Sequence, residues 1–241
     1  MLKIGHRGAK AYAPENTISS FRKALELGVD MVEMDIRITK DKHPVVVHDN
    51  SLRRLTKKYV RVDHLTLTQL KKFKIDKIEP IPTLAEVLEV IDSQVGILID
   101  IKVKGLAQII VQILRDYKVD FSNVMISSVH HTELRIVETL EPAITTALIF
   151  RSSNASNFWL MMDFLAIVFW PITKYYISWI VRYANADYLN INHRLLTERN
   201  IKLFKRRGIK ICAWTVDSRR KINLLKKMGV DGIITNYPDR L

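Results

Sequence analysis

Residues 1–37 read MLKIGHRGAKAYAPENTISSFRKALELGVDMVEMDIR and contain a strand–helix–strand pattern. Residues 3–6 and 31–37 are short apolar runs of the kind that buried strands have. Between them, residues 17–27 carry apolar side chains at three- and four-residue spacing, which indicates an amphipathic helix. A helix between two such strands predicts a parallel pair joined by a crossover connection.

The same alternation continues along the chain of 241 residues, which is about the length at which a (β/α)8 barrel closes as one unit. Strands are predicted at 3–6, 31–37, 96–102, 124–128, 145–150, 187–191, 210–216 and 232–236. Helices are predicted at 17–27, 84–91, 106–117, 132–140, 195–207 and 219–228, with Asn16 as the N-cap of the first and Gly28 just past its end. Eight strands alternating with helices predict an α/β fold of the TIM-barrel class.

Two segments interrupt the alternation. Residues 50–83 are polar and basic, and residues 156–183 are aromatic and apolar. We interpret both as insertions on the barrel frame, the second in the loop after strand five. The whole chain, 1–241, is then expected to form a single domain.

Acidic side chains fall on one face of two predicted strands. Because strand side chains alternate, Glu33 and Asp35 point the same way, as do Asp100 and Lys102. Three carboxylates in one barrel interior repel one another unless a cation holds them, and carboxylate oxygens suit Mg²⁺ or Ca²⁺. The alternative is that one acid is exposed and the others form salt bridges with Lys102 or Arg37.

Two histidines, His6 and His48, lie where predicted strands end. A histidine pair can deprotonate a nucleophile and protonate a leaving alkoxide near neutral pH, as displacement at a phosphodiester requires. Arg7 and Lys102 are placed to bind phosphoryl oxygens, the first through its planar fork and the second as a point charge. These residue types together indicate phosphodiester chemistry at the barrel mouth.

The stretch GHRGAKAYAPENTISSFRKALELGVDMVEMDIRITKDKHPVVVHDN (5–50) closely resembles the opening of glycerophosphodiester phosphodiesterases. The resemblance continues through LRRLT, IPTLAEVLE, IDIK, ISS, ICAWTVD and GVDGIITNYPD, so it covers nearly the whole chain apart from 156–183. It implies a TIM barrel that hydrolyses glycerophosphodiesters to glycerol 3-phosphate, or the equivalent phosphomonoester, and an alcohol.

The resemblance also assigns roles to residues. It makes His6 and His48 the general acid and base, Glu33, Asp35 and Asp100 ligands of a divalent ion (Mg²⁺, Ca²⁺ or Mn²⁺), and it places Glu15 near that metal. Substrate contacts are expected from Arg7, Lys102, Asn16 and Trp214; core packing is the alternative for Trp214. The family usually has Glu at position 100 and often Asp at position 236, where this chain has Asp100 and Asn236. Whether water or a neighbouring glycerol hydroxyl attacks first is left open.

Positive charge is unevenly distributed along this chain, which has 38 Lys and Arg against 25 Asp and Glu and a net charge of +13. Residues 53–77 hold nine Lys and Arg against two acids, and residues 194–227 hold twelve against two, so the rest of the chain is net acidic. No RNA-binding signature or zinc-finger spacing accompanies these basic windows, so nucleic acid is not the expected partner. The single cysteine, Cys212, and the absence of a signal-peptide pattern predict a cytoplasmic protein, with the inner membrane face as the alternative location.

Segment 156–183 holds three of the four tryptophans but is interrupted by Asp163, Pro171 and Lys174, so a transmembrane span is not expected. We expect two short helices joined near Pro171. Residues 157–181 would cradle the acyl chain of a lysophospholipid, as in a lysophospholipase D, or contact the membrane peripherally; a homodimer interface is the alternative. A rival function is a catalytically silent barrel that binds membrane or a partner through this segment.

Overall fold

The computed structural model describes residues 1–150 and 170–241, with side chains from residue 173 onward in the second range. Eight parallel strands form a sheet that closes on itself, because the first strand pairs with both the second and the last. In barrel order they are β1 (Leu2–Gly5), β2 (Met31–Ile38), β6 (Gly96–Ile101), β7 (Val124–Ser128), β8 (Thr145–Phe150), β9 (Tyr188–Asn192), β10 (Lys210–Trp214) and β11 (Gly232–Thr235). The predicted (β/α)8 barrel is confirmed, and each strand lies within two residues of its predicted bounds.

The barrel interior follows the two-residue alternation of its strands. An apolar layer fills its lower part with Ile4, Met31, Leu98, Met125, Ala147, Cys212 and Ile234. Two residues further along the same strands, the inward positions line a pocket and are His6, Glu33, Asp100, Ser127, Ile149, Trp214 and Asn236. The carboxyl ends of the strands therefore carry the polar side chains, where barrel enzymes have their active sites.

Helices cover the outside of the barrel. In the described part of the chain they are α1 (Ile18–Glu26), α2 (Arg53–Thr56), α3 (Leu67–Leu70), α4 (Leu84–Ile91), α5 (Ala107–Asp116), α6 (His131–Leu140), α7 (Trp170–Tyr183), α8 (Glu198–Lys205) and α9 (Arg219–Met228). Short 3₁₀ turns occur at Val62–His64, Phe121–Asn123, His193–Leu195 and Pro238–Arg240. The apolar helix faces and the outward strand residues together form the main core. None of the described helices is long and apolar enough to cross a bilayer.

The N-cap of the first helix lies one residue later than predicted. Thr17, in extended conformation, is the N-cap, and its hydroxyl accepts a hydrogen bond from the backbone N–H of Ser20. The prediction of Asn16 as N-cap was wrong, because Asn16 has a left-handed φ of 57° and its carboxamide bonds Asp35 instead. Gly28 follows the C-cap with φ 69°, as predicted.

Residues 50–83 form an ordered insertion with a small core of their own. The segment contains α2, α3 and a two-stranded hairpin of β4 (Lys74–Ile75) and β5 (Glu79–Pro80). It packs beside β3 (Pro44–Val46), which runs antiparallel to β2. The buried residues shared between β3 and the insertion are Val45, Val47, Leu52, Leu55, Val62, Leu70, Ile75 and Ile81. This core holds the loop after His48 against the barrel.

The interpretation of 156–183 as an insertion is corrected for its second half. Helix α7 supplies the crossover between β8 and β9, and its inner face buries Ile177 and Val181 in the main core. It begins at Trp170, so Pro171 lies in its first turn rather than at a joint within the described residues. Residues 151–169, where the first of the two expected helices would lie, are outside the described residues. The single-domain assignment of 1–241 stays a prediction.

Two glycines with positive φ provide a test of the turn that follows β1. At Gly8 (φ 81°) an added Cβ would lie 2.6 Å from the backbone carbonyl of Ser20, whereas at Gly28 it would meet nothing within 4 Å. Gly28→Ala should cost about 1–2 kcal/mol for its left-handed backbone. Gly8→Ala should cost about 2–4 kcal/mol, since the overpacking adds to the same backbone penalty. Urea denaturation of both variants measures this, and equal losses would contradict the tight packing of the β1 turn on α1.

Candidate active site

A pocket of about 370 Å³ opens at the carboxyl ends of the barrel strands. Side chains from most of the barrel strands line it, together with His48 from the loop after β3. Of the residues predicted to take part, it brings together His6, Arg7, Glu33, Asp35, His48, Asp100, Lys102 and Trp214. Glu15 and Asn16 are not part of its lining.

Three carboxylates lie together on neighbouring strands. Glu33 and Asp35 come from β2, and Asp100 is the register partner of Asp35 on β6. All three are buried, with exposed fractions of 5%, 1% and 6%, and one oxygen of each lies within 4.8 Å of the others. The alternative with one acid exposed is therefore wrong. This acidic triad could hold a divalent ion, since hard cations prefer carboxylate oxygens.

Asp35 is the most heavily paired of the three acids. Lys102 Nζ lies 2.8 Å from Asp35 and also contacts Asp100, and Arg7 Nε lies 3.1 Å from Asp35. Burial opposes ionisation, but Lys102 and Arg7 outweigh it and hold the pKa of Asp35 well below its usual range. Arg37, the other cation expected to pair with these acids, instead donates from Nε to the backbone carbonyl of His48.

The surroundings of Glu33 shift its pKa in the direction opposite to that of Asp35. Burial and the neighbouring charge of Asp35 raise its pKa well above the usual value. The backbone N–H of Arg7 donates to Glu33 Oε2 over 2.7 Å, which fixes that carboxyl group in place. Lys102 and Arg7 thus do not fully neutralise the acidic triad, and a bound divalent cation would supply the missing positive charge.

His6 is held by a chain of hydrogen bonds from β11. Its Nδ1 lies 2.7 Å from Asn236 Oδ1, and Asn236 Nδ2 donates to Asp217 over 2.7 Å. Because Asp217 accepts only, the Asn236 oxygen must face the ring, so Nδ1 of His6 carries the proton and Nε2 is free to accept one. Burial, assisted by Arg7, lowers the pKa of His6 to about 3, which keeps the ring neutral.

His48 has a different partner. Its Nδ1 lies 2.7 Å from Asp49 Oδ1, and Arg54 Nε donates to the other oxygen of Asp49 over 2.6 Å. The hydrogen bond from His48 and the contact with Arg54 lower the pKa of Asp49, so this group is a carboxylate. The ring of His48 is therefore oriented by a carboxylate, whereas the partner of the His6 ring is a neutral carboxamide.

Glu15 belongs to a group of ion pairs outside the pocket lining rather than to the acidic triad. Its carboxylate accepts from Arg7 and Lys10 at 2.7 Å and from Arg54 at 2.5 Å. Although burial opposes this, Arg54 and Arg7 lower its pKa to about 2. The structure therefore does not bring Glu15 to the predicted metal position. Glu15 instead joins the β1 loop to Arg54 of the insertion.

Asn16 and Trp214 differ in their relation to the pocket. Asn16 is fully buried, donates to Asp35 over 2.8 Å and accepts from the Asp35 backbone N–H, so it supports Asp35 from behind. Trp214 lines the pocket at the end of β10. Asp217, which orients the partner of His6, was not predicted from the sequence. Its signal was present in the TVD that follows Trp214, but its contact with Asn236 joins two distant parts of the chain.

Nearly the whole chain is similar to proteins of one family. Residues 6–240 match the model of the glycerophosphoryl diester phosphodiesterase family. A glycerophosphodiester phosphodiesterase of Caldanaerobacter subterraneus is 32% identical over 254 residues, which are 100% of this chain and 96% of that protein. Lysophospholipase D GDPD1 of Rattus norvegicus is 28% identical over 268 residues, covering 99% and 84% of the two chains.

A solved structure is similar to this chain in fold. It is a phosphodiesterase of Oleispira antarctica in complex with the product sn-glycerol 3-phosphate, with a TM-score of 0.81, 24% identity, and coverage of 98% of this chain and 93% of that one. At this identity the likeness shows the barrel fold. The family match across residues 6–240 shows more: this chain belongs to the glycerophosphoryl diester phosphodiesterase family.

Proposed function

We propose that this protein hydrolyses glycerophosphodiesters to sn-glycerol 3-phosphate, or the equivalent phosphomonoester, and an alcohol. The proposal rests on one observation: a single pocket contains two histidines, a buried acidic triad and two cations. The two histidine rings have different hydrogen-bond partners, a carboxamide and a carboxylate. Family membership supports the same reaction. The product-bound relative from Oleispira antarctica has sn-glycerol 3-phosphate as its ligand, which is the monoester expected here.

A divalent ion would be held by Glu33, Asp35 and Asp100, with Mg²⁺ or Ca²⁺ favoured and Mn²⁺ also suited to oxygen ligands. When bound, such an ion neutralises charge on the phosphoryl oxygens and orients the diester. Asp100 is one methylene shorter than the Glu expected from the resemblance. It is aligned with Asp35 across the β2–β6 pair, and this register brings its carboxylate to the triad.

His6 is the proposed general base. Its neutral ring, protonated on Nδ1, has Nε2 available for the proton of the attacking oxygen. His48 is the proposed general acid, and its ring is oriented through Nδ1 by Asp49, which Arg54 holds in place. As the new P–O bond forms, the proton of the nucleophile passes to His6. The ester bond to the alcohol then breaks, and the departing alkoxide receives a proton from His48.

Arg7 and Lys102 are the proposed phosphate contacts. Arg7 is ion-paired through Nε and Nη1 and lines the pocket, where its guanidinium group can meet a phosphoryl oxygen. Burial opposes the charge on Lys102, but Asp100 and Asp35 outweigh it and raise its pKa, so the ammonium group stays charged in the pocket. Both groups are therefore positive when an anionic substrate binds.

A divalent ion should stabilise the folded protein measurably. Binding to the native triad alone at about 100-fold above Kd adds about 2.7 kcal/mol of stability, which raises the melting temperature by several degrees. Asp100→Asn should abolish most of this shift, because the triad loses one anionic ligand. Thermal melting with Mg²⁺, Ca²⁺, Mn²⁺ or chelator measures this shift.

Asp116→Asn, at an exposed site on α5, is the matched control and should keep the wild-type shift. Equal ion responses in all three proteins would contradict a metal site at the triad.

The two histidines should be distinguishable by the leaving group. His48→Ala should reduce turnover of glycerophosphocholine roughly a hundredfold or more, but should affect bis(4-nitrophenyl) phosphate far less, because nitrophenolate leaves without a proton. His6→Ala should reduce turnover of both esters, since the nucleophile must still be deprotonated. Steady-state kinetics of the two variants on both esters gives the comparison. The reverse pattern would exchange the two roles, and wild-type rates in both variants would remove the histidines from the mechanism.

A lysophospholipid substrate and a peripheral membrane contact are a second proposal, carried by the outer face of α7. Tyr175, Tyr176, Trp179 and Tyr183 are about half exposed, and Trp179 stacks on Tyr183 with ring centres 5.4 Å apart. Cations surround this aromatic face: Arg207 lies 4.9 Å from the ring of Tyr175, and Arg135 lies 5.2 Å from that of Tyr183.

Tyr and Trp beside basic side chains suit the interface of an anionic bilayer, where the rings lie among the headgroups and the cations meet the lipid charge. We infer that this aromatic face contacts anionic lipid. A lysophospholipase D among the relatives is consistent with such a substrate. A homodimer through the same face and a silent barrel that only binds membrane are the alternatives. The cytoplasmic location, or one at the inner membrane face, stays a prediction.

Trp179→Ala should weaken binding to vesicles containing anionic phosphatidylglycerol at least fivefold, because it removes the largest ring of the aromatic face. Tyr117→Ala, at an exposed aromatic residue just past the end of α5, should leave vesicle binding unchanged. Co-sedimentation measures both, with phosphatidylcholine vesicles as the uncharged comparison. Equal binding by the two variants would contradict the lipid contact. A wild-type dimer that Trp179→Ala dissociates would assign the face to self-association.

A further inference from the structure

A second depression lies beside the active-site pocket. It is lined by residues of the insertion and of the segment that follows β3, and Arg37 and His48 line both it and the pocket. Four of its lining residues are cations and one is an acid: Arg37, Arg53, Arg54, Lys57 and Asp49. We call this depression the basic groove. An anionic substrate therefore meets positive charge outside the pocket as well as within it.

Asp49, the acid of the basic groove, is already paired. Its two oxygens lie 2.7 Å from His48 Nδ1 and 2.6 Å from Arg54 Nε. Arg54 is also ion-paired with the buried carboxylate of Glu15. Because Asp49, Arg54 and Glu15 are partners of one another, the excess positive charge of the basic groove comes from its other three cations.

Two of these cations, Arg53 and Lys57, contact neutral groups. The guanidinium carbon of Arg53 lies 4.6 Å from the ring centre of Tyr59, which is exposed, and Lys57 Nζ donates to the backbone carbonyl of Arg54 over 3.5 Å. In the part of the chain that the structure describes, neither is ion-paired with a carboxylate, and the ion pairs of this segment belong to Arg54 and Arg61 instead. An anion can therefore approach both cations without displacing an acid.

The third cation, Arg37, lies at the boundary between the basic groove and the pocket. It continues the inward row of Glu33 and Asp35 on β2, and its Nε donates to the backbone carbonyl of His48 over 2.6 Å. Burial lowers the pKa of Arg37, because Asp35 and Asp49 only partly offset its loss of hydration. A partly buried cation of this kind is stabilised by an anion that binds beside it.

The position of His48 decides which part of a substrate meets the basic groove. As the proposed general acid, His48 lies next to the departing alkoxide, and it lines the basic groove as well as the pocket. We propose that the basic groove binds a negatively charged group on the alcohol of the substrate, so that diesters whose alcohol carries a second phosphate are preferred. A cationic alcohol such as choline gains nothing from these side chains. This inference rests on the proposed function, since it takes the direction of the alcohol from the role of His48.

Two matched diesters test the basic groove. Glycerophosphoglycerol and bis(glycerophospho)glycerol, the deacylated forms of phosphatidylglycerol and cardiolipin, both release sn-glycerol 3-phosphate from a primary glycerol hydroxyl. Only in the second does that alcohol carry a further phosphate. Initial rates with excess Mg²⁺ give kcat/KM for each ester, halved for the longer one because its two ends are equivalent. The wild-type enzyme should prefer the longer ester roughly fivefold or more at low ionic strength, the effect of a few exposed charge contacts.

Salt and substitution should both reduce this preference. Raising the ionic strength from about 0.01 M to about 0.15 M shortens the Debye length from about 30 Å to about 8 Å, so the preference should shrink. Arg53→Gln and Lys57→Gln should each lower it roughly two- to fivefold. The loss should appear in KM rather than in kcat, because a charge contact with the alcohol is the same in the ground state and the transition state. Arg37 is left intact, since its bond to the His48 carbonyl would confuse the result.

Lys118→Gln is the matched control for Lys57→Gln. Both lysines are exposed, lie at or just past the end of a helix and have a left-handed backbone, with φ 51° at Lys118 and 61° at Lys57. Lys118 precedes β7 and therefore lies at the end of the barrel opposite the pocket. Lys118→Gln should keep the wild-type preference. If it lowers the preference as much as Lys57→Gln does, the effect is one of overall charge and the basic groove is overturned.

The remaining outcomes separate the basic groove from the proposed function. Equal rates for each ester bond in the wild type, or equal losses on both esters in Arg53→Gln and Lys57→Gln, would reject the basic groove while the phosphodiesterase function stands. An intact preference in these variants together with weaker binding to phosphatidylglycerol vesicles would assign the groove to lipid and also overturn the proposal. No turnover of either ester with any ion would reject the function and with it the groove.

Discussion

The carboxyl end of the barrel depends on the pairing of one buried carboxylate, Asp35. It is 1% exposed and contacts Lys102 from the β6 end, Arg7 from the turn after β1, and Asn16 from the loop before α1. An ionised acid so deeply buried is stable only because cations and a hydrogen-bond donor surround it. These contacts fix the β1 loop relative to β2 and β6. They also hold Arg7, which donates through its backbone to Glu33.

The two histidines differ in their hydrogen-bond partners, although their rings are chemically the same. Asn236 gives His6 a neutral acceptor, and burial beside Arg7 keeps that ring unprotonated. His48 faces the carboxylate of Asp49, which Arg54 orients. Arg54 also contacts Glu15, so the insertion and the β1 loop are joined through the same guanidinium group. The small core of residues 50–83 therefore contributes to the position of the second histidine.

Much of this arrangement follows from strand alternation, which can be deduced from the sequence. The alternation of side chains along a strand alone predicted that Glu33 and Asp35 share one face of β2. It predicted the same for Asp100 and Lys102 at the end of β6. The β2–β6 register then brings Asp35 beside Asp100. The family resemblance added the order in which His6 and His48 occur and was confirmed at the level of the fold and family.

Loop residues were harder to assign, because their side-chain directions depend on contacts far away in sequence. Asn16 was expected as a helix cap and a substrate contact, but its left-handed backbone turns the carboxamide toward Asp35. Glu15 was expected near the metal, yet its oxygens are paired with two cations of its own loop, Arg7 and Lys10, and with Arg54 of the insertion. Helix α7 was read as part of an insertion because its exposed aromatic residues obscured the buried pair Ile177 and Val181.

The acidic triad, loaded with a divalent ion, and the two histidines should together hydrolyse a glycerophosphodiester. The most direct measurement follows glycerophosphocholine by ³¹P nuclear magnetic resonance while Mg²⁺, an excess of chelator and then more Mg²⁺ are added in turn. The expected result is that the diester signal is replaced by that of sn-glycerol 3-phosphate, that conversion stops with chelator and that it resumes with the ion. Conversion that continues unchanged in chelator, or a diester signal that persists with Mg²⁺, Ca²⁺ and Mn²⁺ alike, would contradict it.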